Sequence, residues 1–448
     1  MFLIIIAILL CCCTSQPTGT SLPTSLIPAV DTASPPSPIS THTSLPPEPS
    51  EPAATPLPTA TPTPAISPTP FTCTDKLGCV QIQPGEPLQL AAILAMSPPY
   101  AILGKDSLNG LNLAIQMRGE ILGHQIALTT EDDQCQAEVG REIALELAED
   151  PSLVAVIGTN CSVSARSAVP WLSKAGLTVL SPSNTAPDLT EEGNPHQYPG
   201  YFRTIPNDQQ QGILAARLAV EELGVKTAAA ISGMDSYSID VKEGFTEEFA
   251  SLGGQIVMDA AVDPGQYNPT SLMASLAAKA PELIYLTVYL PEGGEIIKAA
   301  RETAGLEKVH IVGNENLFDQ NLEEALGFSV EGLIVSRTYF SPTEKYLDSI
   351  LPVYGAVYNQ APLSYFHPYA MDAALLLFDA IEKVAAVCPD GTVYIPRQAL
   401  RDALYALENY QGITGELTCS PTGDCGDSRN IFFYQFRVGI PEPEQIWP

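Results

Sequence analysis

Two polar clusters carry groups able to hold a charged solute. They are Asn160, Cys161 and Ser162, and the stretch from Ser181 through Asn184 and Thr185. Each follows a short apolar run, at residues 153–158 and 177–181. A run of that length bounded by polar residues reads as a buried strand feeding a loop. Ligands of open parallel α/β sheets bind beyond the carboxyl ends of the strands, so both clusters are candidate contacts. A helix starting near Ser162 would also turn unpaired backbone N–H groups toward that crevice, where a carboxylate is favoured. Glu315, after the apolar run His310-Ile311-Val312, offers the opposite pole: a carboxylate for a ligand ammonium.

Catalysis and metal binding find less support in the residues. Ser162 lacks the G-x-S-x-G turn of a hydrolase nucleophile, and His124, His196, His310 and His367 stand isolated. Asp132 and Asp133 form an acidic pair without calcium-loop spacing, and such acids more often cap a following helix. No enzyme activity, cofactor or metal is therefore expected. Acidic residues outnumber basic ones 51 to 21, a formal charge of −30, which disfavours nucleic acid as a partner.

The 448 residues suffice for two domains and additional segments. Apolar runs at 88–96, 125–130, 153–158 and 177–181 read as buried parallel strands. Between them Ala137, Gly140, Ile143, Ala144, Leu147 and Ala148 recur at helical spacing until Pro151. A second series follows Arg203, with strands expected at 228–232, 255–261, 283–289, 310–313 and 333–338. This alternation implies βαβ units and an α/β fold of two doubly wound parallel-sheet lobes. Helical patterns at 343–358, 367–387 and 396–407 follow, then a last strand at 432–438.

Residues 1–13, MFLIIIAILLCCC, hold an apolar core too short to span a bilayer, followed directly by cysteines. They read as a lipoprotein signal, with Cys13 or Cys12 as the lipid-bearing first residue of the mature chain; an uncleaved anchor is the alternative. Both place the body outside the membrane, anchored at the outer face of the cell membrane. Residues 14–72, dominated by Pro, Thr and Ser, cannot bury a core and read as a semi-extended stalk. The remaining cysteines lie scattered without a C-x-x-C pair, so they read as disulfide partners in an exported chain. Cys73 with Cys79, and Cys419 with Cys425, would each close a short loop, the first making residues 73–87 a tied lead-in. Cys388 is left over.

Taken in order, Gly104, Gly110, Asp132-Asp133-Gln134-Cys135, Gly158 to Ser164, Ser181-Pro182 and Thr185-Ala186-Pro187-Asp188-Leu189-Thr190 resemble the first lobe of periplasmic leucine/isoleucine/valine-binding proteins. The likeness continues through Arg203-Thr204, Gln211-Gly212, Tyr237, Tyr289-Leu290-Pro291-Glu292, Gly313-Asn314-Glu315 and Tyr369-Ala370-Met371-Asp372-Ala373, spanning roughly residues 88–440. It implies lobe 1 from 88–204 plus 338–418 and lobe 2 from 205–337 plus 419–448. A three-strand hinge is implied near 203–207, 335–340 and 416–426.

The resemblance also implies a function: a receptor that closes on an amino acid, of branched-chain type, and presents it to the permease of an ABC importer. A sensor, or an amide or urea receptor of the same fold, is the alternative. By the same resemblance Ser162 and Thr185 would hold the ligand carboxylate. Glu315, the Thr185 hydroxyl and the Asn184 carbonyl would hold the ammonium, while Tyr237 and Tyr289 close over it. Cys135 and Cys161 match the family's single disulfide, which sets Cys161 at the site's border. Leu103 stands where the family has a tyrosine near its ligand, and Asn160 where it has an aliphatic residue. A buried Asn160 lacking partners would cost roughly 1–3 kcal/mol, so a ligand or a water is expected to satisfy it.

Overall fold

The computed structural model describes residues 71–263, 265–290, 292–318, 322–338, 345–426, 431–440 and 442–447. The expected signal with Cys12 and Cys13, the stalk up to residue 70 and part of the second hinge segment lie outside these residues.

The first sheet has six strands, in the order Glu120–Ile121, His124–Asp132, Leu88–Leu94, Leu153–Gly158, Thr178–Ser181 and Tyr201–Arg203. All pairings are parallel except that of the two-residue Glu120–Ile121. Every residue of Leu153–Gly158 is buried, as expected of a strand covered on both faces. Strand order reverses on either side of Leu88–Leu94, which sets the crevice at its carboxyl end and that of Leu153–Gly158. Gly158 is required there, because a Cβ would collide with the carbonyl of Ile93.

The second sheet has seven strands: Glu444–Trp447, Ile431–Gln435, Ile334–Thr338, His310–Gly313, Leu283–Thr287, Thr227–Ser232 and Gln255–Ala261. The five from Ile334–Thr338 onward are parallel, and the two C-terminal strands add an antiparallel edge. Its order reverses between Thr227–Ser232 and Leu283–Thr287, the positions that lead into Tyr237 and Tyr289. Each sheet has apolar clusters of its own on its two faces. No helix among the described residues is long and apolar enough to cross a membrane.

Three details depart from the sequence reading. Residues 419–426 pack on the first sheet, not with the second lobe: Arg203 N–H donates to Gly423 O, and Cys425 N–H to Arg203 O. Their backbone pairs with the edge strand Tyr201–Arg203 through one isolated bridge, too short to leave an apolar pattern. The lead-in contains a strand, Cys79–Ile82, paired antiparallel with Val393–Pro396. The strand Glu444–Trp447 was also not anticipated.

The start of helix Phe366–Val384 is fixed to helix Ala101–Arg118 by the carboxylate of Asp106, which is fully buried. It accepts from the backbone N–H groups of Phe366 (2.9 Å) and His367 (2.8 Å), from Ser364 Oγ (2.8 Å) and from Leu363 N–H (3.2 Å), and pairs with His367 Nδ1 (3.0 Å). Burial raises the Asp106 carboxyl, but the hydrogen bonds and charge of His367 and the Ser364 hydroxyl bring it below the ordinary value. Because the folded-state value is depressed, this stabilisation is present above about pH 4 and is lost as the pH falls through that folded value. Asp106→Asn should therefore cost about 3 kcal/mol in denaturant unfolding at pH 7, with a smaller difference from the parent at pH 3. An equal difference at both pH values would show that the charge is immaterial.

Candidate functional site

The loops that leave Leu153–Gly158 and Thr178–Ser181 are sewn together by side chains. Ser181 Oγ donates to Thr159 O (2.8 Å) and accepts from Asn184 N–H (2.9 Å), while Ser183 Oγ donates to Asn160 O (2.9 Å). The Asn160 side chain is satisfied within the protein. Its Oδ1 accepts from Ala95 N–H, and its Nδ2 donates to Ser107 Oγ and Ser183 Oγ, each at 3.0 Å. It therefore needs neither ligand nor water, and the expectation that one would satisfy it is corrected. Its work is to hold the crevice floor.

Cys161 precedes helix Ser162–Lys174 in an extended conformation, and its side chain makes no cap hydrogen bond, so it leaves the first-turn N–H groups to other partners. Ser162 Oγ accepts from Ala186 N–H at 3.3 Å, which fastens the helix start to the second loop. The structure joins Cys135 to Cys161, Cys73 to Cys79 and Cys419 to Cys425, and leaves Cys388 free. Asp132 is occupied in a turn beside that first pair, accepting from Met96 N–H (2.8 Å) and Gln134 N–H (3.0 Å).

A cavity of about 130 Å³ opens at the carboxyl ends of both sheets. Ser183 and Thr185 wall it from the first lobe, Tyr237 and Glu315 from the second, Pro206 from the first hinge segment, Asp208 and Gln211 from the start of the helix Gln209–Arg217 that follows it, and Tyr365 and Phe366 from the start of the long helix. Larger openings exist, one of about 830 Å³ at Val225, Pro281 and His310. That one lies at the amino ends of the second sheet's strands, where this class of sheet does not bind ligands.

Of the expected residues, the cavity thus gathers Thr185, Tyr237 and Glu315. Ser162, Asn160 and Cys161 sit behind its wall. Leu103, on helix Ala101–Arg118, and Tyr289, which is 49% exposed, do not line it. The Asn184 carbonyl is corrected by one position: it accepts from Arg203 Nη1 (3.3 Å), and Ser183 lines the cavity in its place. Loop register at this scale is set by Arg203, which no pattern in the sequence reports.

Asp208, Gln211, Tyr365 and Phe366 were not anticipated. Gln211 belongs to a run quoted for the family likeness, which was its available signal. Gln211 Nε2 donates to the Tyr237 hydroxyl (3.1 Å), which donates to Glu315 Oε1 (2.9 Å), and Ser336 Oγ donates to Gln211 Oε1 (3.2 Å). This chain of bonds aims the Glu315 carboxylate. Burial raises the Tyr237 hydroxyl well above its ordinary value, and the charges of Glu315 and Asp208 add to it, so it stays a donor. Burial likewise pushes the Asp208 carboxyl up to about 8, against the Thr185 hydrogen bond and the Arg203 charge. Among the described residues that line it there is no Lys or Arg. The cavity is suited to a small solute that brings a cationic group.

Two α/β lobes with a polar cavity at the carboxyl ends of both sheets define a solute-binding receptor of the type I periplasmic architecture. The chain belongs to the periplasmic binding protein family, whose sequence model matches residues 87–437. It is 28% identical over 253 residues to the Leu/Ile/Val-binding protein of Citrobacter freundii, spanning 56% of this chain and 67% of that one. Among solved structures it is similar to an ABC transporter substrate-binding protein from Desulfitobacterium hafniense in complex with Leu. That likeness has 25% identity and a TM-score of 0.60, over 81% of this chain and 100% of that one. A solute-binding protein of Rhodopseudomonas palustris in complex with 3,4-dihydroxy benzoic acid shares the fold, with 20% identity and a TM-score of 0.58, over 81% and 96% of the two chains.

Replacing both Cys135 and Cys161 by Ser should lower unfolding free energy by about 3 kcal/mol, since the bridge closes a loop across a sequence separation of 26. Denaturant unfolding checks the size. Peptide mapping without reduction checks the pairing, and recovery of either residue as a free thiol in the parent would refute it.

Proposed function

We propose that the chain is an extracytoplasmic receptor that binds an amino acid, of branched-chain type, and delivers it to the permease of an ABC importer. It acts as a receptor and not as an enzyme, tethered by a lipid on Cys13 or Cys12 at the end of the Pro/Thr/Ser-rich stalk. The observation that carries the reading is that Glu315 and Asp208 line one cavity whose described lining residues include no Lys or Arg. The Glu315 carboxylate, with that of Asp208 once it is ionised, favours an ammonium there.

Size supports the same class. A cavity of about 130 Å³ is well under the roughly 300–1,000 Å³ of drug-sized sites and near the 150 Å³ that admits benzene. An aromatic acid of the kind bound by the Rhodopseudomonas protein would bring an anion to two carboxylates with no lining cation to receive it. An amide or urea ligand would leave Glu315 without a charged partner. Both alternatives remain arms of the same test.

Thermal-shift screening of the chain against L-amino acids, urea, short amides and benzoates should raise the melting temperature only with amino acids, because a solute that binds the folded state alone stabilises it by mass action. A shift with benzoate or urea and none with any amino acid would sink the reading. Calorimetric titration of Glu315→Gln should show affinity falling roughly ten- to a hundred-fold, the loss of a charge-assisted hydrogen bond of about 1.5–3 kcal/mol. Unchanged affinity for an amino acid would make Glu315 a bystander.

A further inference from the structure

Asp208 shares the cavity with Glu315, yet it sits in a different environment. It is only 6% exposed, and its backbone N–H donates to Thr185 O at 2.9 Å. The Thr185 hydroxyl lies near enough to its carboxyl to oppose the effect of burial. The charge of Arg203 acts on it, but the donors of that guanidinium are taken by Asp424, Thr190 and the carbonyls of Asn184 and Ala186. The other groups acting on Asp208 are Glu315 and Tyr237 from the second lobe, Asp240 on helix Ser236–Ser251, Tyr365 before helix Phe366–Val384, and Arg166 on helix Ser162–Lys174. Arg166 is itself held by Asp188 in a two-point pair, at 2.6 and 2.9 Å. A buried carboxyl thus faces a ligand cavity with both nearby cations already paired.

We propose that Asp208 is a proton-exchanging positioning residue, protonated in the free receptor and ionised when an ammonium-bearing solute enters, so that binding is coupled to release of one proton. The proposal rests on the amino-acid reading above. In the free protein the Asp208 O–H donates to Thr185 Oγ1. As the ammonium arrives, that O–H bond breaks and the proton passes to solvent buffer. The carboxylate then accepts the Thr185 hydroxyl hydrogen, and the lone pairs of Thr185 Oγ1 turn toward the ligand N–H. No bond to the ligand is made or broken. Protonation of Asp208 therefore decides whether Thr185 receives an ammonium or competes with it.

The sign of the pH dependence follows. Burial, reinforced by Asp240 and Glu315, sets the free-protein carboxyl at about 8. A nearby ammonium favours the carboxylate and lowers that value. Affinity should therefore rise with pH between the lowered value and about 8, by up to about tenfold per pH unit, and level off outside that window.

Calorimetry of the full chain with L-leucine, L-isoleucine and L-valine at pH 7, in buffers of different ionisation enthalpy, measures the protons released directly. Close to one proton per amino acid is expected in the parent. Asp208→Asn should release none and show a flat affinity profile from pH 6 to 9, with the amino acid's own ionisation common to both proteins. Binding without release, or release that persists in Asp208→Asn, overturns the proton coupling and leaves the amino-acid reading standing. Should Asp208→Asn not fold, Asp208→Ser takes its place, with the same loss of proton release expected. Absence of binding by all three amino acids removes the reading and the coupling together.

Discussion

The structure turns on a single buried cation. Arg203 ends the last strand of the first sheet, its side chain is wholly buried, and its donors reach four partners: Asp424, the Thr190 hydroxyl and the carbonyls of Ala186 and Asn184. Removing a guanidinium from water carries a desolvation cost of several kcal/mol, offset only when geometry and hydrogen bonding are nearly complete. Here the charge of Asp424 and the three neutral acceptors supply that completeness, and burial does not lower the Arg203 value because Asp424 opposes it. Asp424 in turn accepts from Asn207 Nδ2 at 2.8 Å, so the first hinge segment and residues 419–426 meet at the same carboxylate.

Two consequences reach the ligand cavity. The loop from Ser183 to Thr190 is held from behind by Arg203, which fixes Ser183 and Thr185 toward the cavity and turns the Asn184 carbonyl away. The hinge clasp also leaves Asp208, five residues along, with a hydroxyl and a backbone loop for company. The anionic character of the cavity is thus a product of where the cation went.

Much of the fold was legible because parallel strands buried on both faces are short apolar runs with sharp polar ends. His310–Gly313 and Leu153–Gly158 were read to the residue on that basis. Edge elements escaped, since Cys79–Ile82 and Glu444–Trp447 have partners far along the chain and weak patterns of their own. In the site, Thr185, Tyr237 and Glu315 were readable from strand ends and family likeness. Ser183 was readable only as a member of the candidate stretch 181–185, because the choice between two adjacent loop residues depends on which carbonyl Arg203 takes. Asn160 was misread for a similar reason: its three partners, Ala95, Ser107 and Ser183, come from separate segments, and the sequence places none of them beside it.

The division of labour between the lobes gives the receptor a reason to close. Ser183 and Thr185 move with the first sheet through Ser181, Asn160 and Arg203. Glu315 moves with the second through Tyr237, Gln211 and Ser336. On the amino-acid reading, a solute that touches Thr185 in the first lobe and Glu315 in the second would bridge them, and contacts made in full only when the lobes approach would supply the differential affinity that shifts a population toward a closed form. A solute with one pole would satisfy one lobe and leave that equilibrium where it was, so discrimination and closure rest on the same pair of surfaces.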